Sequence, residues 1–291
     1  MRTLRPTLIA SVAALLWLGL SAPAALAAPT APTAPTSPAE PRPPAPDATI
    51  SPMIIGGEDA PEPYSFMVSL QTVQSGHFCG GSLLTADWVV TALHCVRGRQ
   101  PEDLRLRVGS LRLDGGGSAR LAEQIVLHPD GSPARFDIAL VKLDEPVANA
   151  PVALDVRQPV DTPARLLGWG CTQVGIFCGD EGTPEVLQQL DSAARAPASC
   201  VNVQAPIDAD SEVCTGNPET ATGPCFGDSG GPMLRRTADG WRLIGAFSRV
   251  EVLPQNPDDP PQFPDCRTGM GIYTDVTVHR AWIESVISPT V

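Results

Sequence analysis

The chain predicts an antiparallel all-β protein closed by one C-terminal helix, and three observations carry that expectation. Short runs rich in β-branched and apolar residues recur from residue 54 onward. Gly, Pro, Asp and Asn punctuate the gaps between them. A helical period occurs convincingly once, at the very end.

Taken in order, the runs are YSFMVSLQ (64–71), LRLRVGSLRL (104–113), IALVKL (138–143), ARLLGWG (164–170), WRLIGAF (241–247) and GIYTDV (271–276). Many short strands at such spacing imply a sandwich or barrel. In TVHRAWIESVI (277–287), Val278, Trp282 and Val286, with Ile283 and Ile287, fall on one face at four-residue spacing.

The first 53 residues are a different kind of sequence. Residues 1–27 carry Arg2 and Arg5, an apolar run from Leu8 to Leu20, then AALA with small residues at the cleavage positions. That is the pattern of a secretory signal peptide; the run is short for a membrane anchor. Residues 28–53 are mostly Pro, Ala and Thr, include an APT triplet repeat, and offer almost nothing to bury. Such a stretch cannot offset its own ordering entropy, so a disordered propeptide or spacer is expected. The folded unit is then 54–291, and a secreted, extracellular product follows.

Arg2, Arg5, Arg42, Glu40 and Asp47 lie in the leader, which leaves 17 basic and 30 acidic side chains and a formal charge of −13 in the folded unit. A nucleic acid or an anionic membrane demands a basic patch, so neither is expected as a partner. All eight cysteines, Cys79, Cys95, Cys171, Cys178, Cys200, Cys214, Cys225 and Cys266, fall after residue 53. An even number behind a secretion signal reads as disulfides. Zinc is the competing reading, but there is no Cys-x-x-Cys, and Cys95 beside His94 has no paired ligand nearby. No metal or other cofactor is expected, calcium included, because Ser110 and the glycines at 115–117 supply few carboxylates.

Five motifs then occur in order: IIGGEDA (54–60), HFCGGSLLTADWVVTALHC (77–95), DIALVKL (137–143), GWG (168–170) and GDSGGP (227–232). Singly each is bland: a serine among glycines is usually a turn, and a histidine beside a cysteine is usually surface or core. Together the chain resembles the trypsin/chymotrypsin family of serine endopeptidases over essentially all of 54–291. The resemblance implies two six-stranded antiparallel β-barrels, packed together, with the active site in the cleft between them. It implies roles too. A serine hydroxyl needs a base during attack, which assigns Ser229 as nucleophile and His94 as base. Asp137 would hold the imidazole in the right tautomer, and the N–H groups of Gly227 and Ser229 would meet the oxyanion. His77, His128 and His279 have no matching context.

GDSGG also satisfies the G-x-S-x-G elbow of the α/β-hydrolases, but that fold places its acid and histidine after the serine. Only His279 follows Ser229, in a terminal helix, so order and fold exclude the reading. An inactive homologue serving as a binding protein is the non-enzymatic alternative; the retained triad argues against it.

The resemblance further implies activation by propeptide removal, with the new Ile54 ammonium buried against Asp228. Pro52-Met53 precedes the bond, so a trypsin-like activator could not cut there. It implies the pairs Cys79–Cys95, Cys200–Cys214 and Cys225–Cys266, and leaves Cys171 and Cys178 to each other. In the primary pocket Gly223 stands where trypsin-like members carry aspartate, and a buried cationic side chain would go unpaired there. Val250 narrows the entrance and Gly271 leaves its side open. A preference for small or medium apolar residues is expected over Lys or Arg. Ser248, Arg249 and Val250 should pair with substrate as an edge strand. Arg249 replaces an expected aromatic and could recruit acidic side chains, and the Pro-rich insertion 251–265 could fold over the cleft. Leu93 replaces a usual alanine with no account from sequence. Protein or peptide substrates and a monomer are expected.

Overall fold

In a computed structural model, the structure describes residues 54–72, 76–171, 182–254 and 264–288. The expected leader, residues 1–53, lies outside them. Strand β1 (Glu58–Asp59) is followed by β2 (Met67–Thr72), β3 (Gly76–Leu83) and β4 (Trp88–Thr91). A one-turn helix α1 (Leu93–Val96) precedes β5 (Leu104–Val108), β6 (Ser118–Leu127) and β7 (Ala139–Leu143). Then come β8 (Ala153–Leu154), β9 (Pro163–Gly168), β10 (Gln188–Ala193) and β11 (Glu212–Thr215). Finally β12 (Pro232–Thr237), β13 (Gly240–Val250) and β14 (Gly271–Asp275) lead to helix α2 (Arg280–Ile287).

Strands β2–β3–β4–β7–β6–β5 form a closed barrel. The remaining strands form an eight-stranded sheet in the order β1–β10–β9–β12–β13–β14–β11, with β8 beside β13. β1 and β8 are two-residue additions. The other six form a ring, because a bridge between Arg195, just past β10, and Cys214 on β11 joins the two ends of the path. The all-β fold with a short closing helix is therefore as the sequence predicts. LRLRVGSLRL is cut short: β5 ends at Val108, and Gly109 turns the chain at φ +68°, a conformation that favours glycine.

The cores differ. Alternating side chains of the barrel fill it with Leu70, Leu83, Val89, Leu104, Leu106 and Leu140, and the cluster runs on to Ile283 of α2. Trp282, Val286 and Ile287 pack on it as the helical period predicts, whereas Val278 is exposed. Leu93 is buried in the same cluster, with its Cδ1 against Gly131, so its bulk fills space under the 128–131 loop. The second sheet holds two smaller clusters, one containing Ile54, Ile55, Cys171 and Cys225, the other Cys200, Cys214, Met270 and Ile272. Disulfides Cys79–Cys95, Cys200–Cys214 and Cys225–Cys266 are formed as expected. Cys171 is also disulfide-bonded; Cys178, its expected partner, lies outside the described residues.

Candidate active site

Each candidate residue sits where a regular element ends. Helix α1 begins two residues after β4, and its Cys95 is tied to Cys79 on β3, so His94 is held at the barrel mouth from both sides. Asp137 immediately precedes the β7 region. The turn that aims it runs through Phe136 at φ +50°, with Ile138 N–H donating to Phe136 C=O at 2.8 Å. A bulky residue there costs on the order of 1 kcal/mol or more. The ring of Phe136 is held against His128 and His279, at 5.2 and 5.1 Å between centroids. Those two histidines thus pack behind the site and do not enter it.

The Asp137 side chain is fully buried and its carboxylate is well satisfied. Oδ1 accepts the His94 N–H at 2.8 Å; Oδ2 bonds the His94 Nδ1 at 2.7 Å and accepts from Ser248 Oγ at 2.7 Å. Thr274 Oγ1 donates to the Asp137 carbonyl at 3.1 Å. With Nδ1 donating to the carboxylate, the ring's Nε2 is left to accept a proton. Ser248, expected only as a substrate contact, also fixes the acid.

Ser229 lies on the loop 225–231 of the second sheet, bound back to the first barrel by Gly80 N–H donating to its carbonyl at 2.7 Å. His94 and Ser229 line one cleft of about 360 Å³, together with Phe226, Phe247, Ser248, Arg249, Val250 and Asn202. No hydrogen bond joins Nε2 to Ser229 Oγ. Such bonds are often long until substrate arrives.

Around the serine, Asp228 N–H donates to Cys225 C=O and Gly230 N–H to Phe247 C=O. The intervening N–H groups of Gly227 and Ser229 have no protein acceptor among the described residues. Two unspent N–H donors so close together are what an anion-binding concavity requires. Gly227 adopts φ +96°, which a side chain would resist.

His77, which has no matching motif context in the sequence, lies against the Ser229 loop. Its Nε2 donates to the Gly227 carbonyl at 3.1 Å, and its Nδ1 accepts from Ser69 Oγ at 2.8 Å, so the ring fixes the peptide plane next to the anion concavity. Burial pushes its pKa down to about 4, so it is neutral in the working range. Its only sequence signal was the position two residues before Cys79, on the strand that delivers Gly80 to Ser229.

Asp228 is 2% exposed, and its carboxylate accepts from Gly170 N–H and Cys225 N–H, both at 2.8 Å. Gly168 and Gly170 leave the room: a Cβ at either would fall within 2.4 Å of the carboxylate. Burial pushes this pKa up to about 7 against those two hydrogen bonds. No ion pair neutralises it among the described residues. Ile54 is fully buried in the cluster containing Cys171 and Cys225, and Ile55 C=O accepts the Gly223 N–H at 3.0 Å. A β-branched residue at φ +34°, as Ile54 is, is a genuine outlier.

At the primary pocket the structure corrects two expectations. Gly271 does not open a side slot: a Cβ there would meet Pro224 Cγ at 2.5 Å and Phe247 Cε2 at 3.4 Å, so proline and ring already occupy that space. Arg249 does not reach out for acidic side chains either. Its guanidinium spans both oxygens of Glu212, at 2.5 and 3.0 Å, and the two side chains are 14% and 0% exposed. Gly223 lies beneath the carbonyl of Cys266, and no carboxylate lines the cleft among the described residues. Val250 lines it, as do Val252 and Pro264 at the two ends of the Pro-rich insertion, whose residues 255–263 lie outside the described set. Cys79, His94 and Cys95 form the one cluster of potential metal ligands among the described residues, but the two sulfurs are bonded to each other. No described helix is long and apolar enough to cross a membrane.

A family model described as Trypsin matches residues 54–283. The chain is 32% identical over 235 residues to a trypsin of Saccharopolyspora erythraea, an alignment spanning 78% of this chain and 97% of that protein. It is 36% identical over 245 residues to trypsin 5G1 of Aedes aegypti, spanning 80% and 84% of the two chains. Over 250 residues it is 32% identical to a vitellin-degrading protease of Bombyx mori, spanning 81% and 86%. By its ordered motifs, its barrel and sheet, and these matches, the chain belongs to the trypsin family of serine-type endopeptidases.

Proposed function

We propose that the chain is a secreted endopeptidase that cuts after small or medium apolar residues through an acyl-enzyme on Ser229. Ser229 Oγ attacks the scissile carbonyl while its proton passes to His94 Nε2. The imidazolium so formed is stabilised by Asp137 through the Nδ1 hydrogen bond. The tetrahedral oxyanion takes the N–H groups of Gly227 and Ser229. His94 then gives its proton to the leaving amine, and water reverses the sequence to free the acid and restore Ser229. The observation that carries this reading is the pair of unspent N–H donors beside a serine that shares a cleft with a carboxylate-held histidine.

For specificity, the support is the filled pocket: Pro224 and Phe247 occupy its side, Val250 narrows it, and no carboxylate among the described residues lines the cleft to meet Lys or Arg. A cationic side chain buried there would cost several kcal/mol. Apolar discrimination is milder, about 10–200-fold per methylene.

For activation, cutting Met53–Ile54 supplies the ammonium that buried Asp228 lacks and releases the φ constraint on Ile54, worth about 1–3 kcal/mol. The bond follows Met, so an enzyme that accepts Met makes the cut, this protease itself included.

The test is cleavage of a mixed peptide library by protein beginning at Ile54, with the Ser229→Ala variant as control. Cuts after Ala, Val or Leu that vanish in the variant are expected. Dominant cuts after Lys or Arg would overturn the pocket reading, and undiminished cleavage by the variant would overturn the mechanism.

A further inference from the structure

Past Phe247, strand β13 runs along the cleft with one edge paired to β14 through Arg249 opposite Ile272 and Val250 opposite Gly271. Glu251 N–H donates to Met270 C=O at 2.8 Å, so residue 251 faces β14. Main-chain groups alternate in direction along a strand, and the N–H and C=O of Val250 and Val252 therefore face the opposite edge. That edge is the one a peptide would join by strand addition, because His94, Ser229, Ser248 and Val250 all line the same cleft.

Beyond Val250 the edge is already taken. Val252 N–H donates to Val201 C=O at 3.2 Å and Val203 N–H donates to Val252 C=O at 3.1 Å, a parallel bridge centred on Asn202 and Val252. Asn202 then reaches one step further toward the catalytic serine: its Nδ2 donates to the Val250 carbonyl at 3.3 Å. The amide is oriented for this, since its Oδ1 accepts the N–H groups of Gln204 and Ala205 at 3.0 and 2.8 Å. The segment is clamped from below by the buried Glu251 carboxylate, which accepts from Val201 N–H at 2.5 Å and Met270 N–H at 3.0 Å.

A substrate strand pairs at every second residue. If its residue nearest the cut lies against Ser248, its third residue lies against Val250, and that residue's N–H must share the Val250 carbonyl with Asn202 or displace it. We propose that Asn202 closes the substrate-binding edge at Val250, so that the enzyme reads the residues next to the cut and gains little from main-chain pairing further along. The segment 201–203 stands where the outer part of a substrate strand would lie. This inference rests on the peptidase reading above.

The experiment measures kcat/KM for substrates carrying one, two, three and four residues before the cut, all with the same residue at the cut. For the wild type, the step from two to three is expected to raise kcat/KM by less than about 3-fold, below what one additional net hydrogen bond usually gives. Asn202→Asp keeps the Oδ1 acceptor for Gln204 and Ala205 but loses the donor to Val250. It should raise the three-to-two ratio by about 3–10-fold. Asn202→Ser, a shorter side chain that also retains an acceptor, should shift the ratio in the same direction. A wild-type gain of 10-fold or more at the third residue would overturn the proposal. So would variants that lower every length in parallel and leave the ratio unchanged. If no length is cleaved at all, the peptidase reading fails instead.

Discussion

In the first barrel, His94 sits at the end of β4, pinned by Cys79–Cys95 and backed by a continuous aliphatic core. In the second sheet, Ser229 sits on a loop whose neighbour Asp228 is buried with two hydrogen bonds and no cation among the described residues. The first region holds its functional group by packing and by one buried carboxylate, Asp137, whose hydrogen bonds are all made within the folded chain. The second relies on buried charge: Asp228, the Arg249–Glu212 pair and Glu251 are all enclosed. Buried charges are worth little net stability, but losing one partner is expensive. A region built this way is suited to switching and to discrimination, and it is the region that holds the expected activation partner and the pocket.

The comparison breaks most visibly at the acid. Asp137→Asn should leave the barrel folded and lower kcat by about 10⁴-fold, because the amide would favour the wrong imidazole tautomer. A loss of only a few-fold, measured on protein with unchanged thermal unfolding, would mean that packing alone orients His94. The second region should instead fail in stability: Glu212→Gln leaves the enclosed Arg249 short of a counter-charge and should cost about 3 kcal/mol in denaturant unfolding. Little change there would show that Arg249 finds another partner or that water reaches it.

A pH experiment separates the states before and after cleavage. In the uncleaved chain Asp228 titrates near 7, so the folded state binds its proton more tightly than the unfolded chain does, and stability falls as pH rises from about 4 to 7. His77 and His279 act the other way: burial lowers both pKa values to about 4, so stability falls as pH drops from about 6.5 to 4. The Asp228 slope should therefore offset part of the histidine slope in the uncleaved chain. If cleavage brings the Ile54 ammonium to Asp228 as proposed, the first slope disappears. The cleaved protein should then lose more stability than the uncleaved chain on going from pH 6.5 to 4, with His77 alone contributing about 2 kcal/mol, a figure discounted for its partial exposure. Urea midpoints across pH 4–7 would show parallel curves if Asp228 gains no partner.

The smallest expected effect is at His77 itself. His77→Ala frees the Gly227 carbonyl and should lower kcat about 10-fold with KM nearly unchanged, a fraction of what losing an oxyanion donor costs. His77→Gln, which can still donate, should recover part of it; equal losses in kcat and stability for both variants would make the ring merely structural.

The same division explains what could be read from the sequence. Strands 64–71, 138–143 and 164–170 announced themselves because their apolar residues face a core, and His94, Asp137 and Ser229 were legible because their local motifs occur in order. β3, β6 and β10–β12 were not anticipated: β3 is glycine-rich, and β6 exposes much of its length. His77 escaped because its role is a contact with Gly227, 150 residues away, and such a contact leaves no local pattern. Arg249 misled for the same reason, since its partner Glu212 lies 37 residues earlier in a segment with no motif. Gly271 reads as empty space until Pro224 and Phe247 are placed against it.

The central claim is that an imidazole held by Asp137 activates Ser229 beside two waiting amides. The direct measurement is labelling of the protein beginning at Ile54 with a serine-directed phosphonate, followed by mass mapping of the adduct. One adduct per chain, on Ser229, and lost in His94→Ala, is the predicted result. An unlabelled Ser229 in folded, cleaved protein, or labelling that persists without His94, would contradict it.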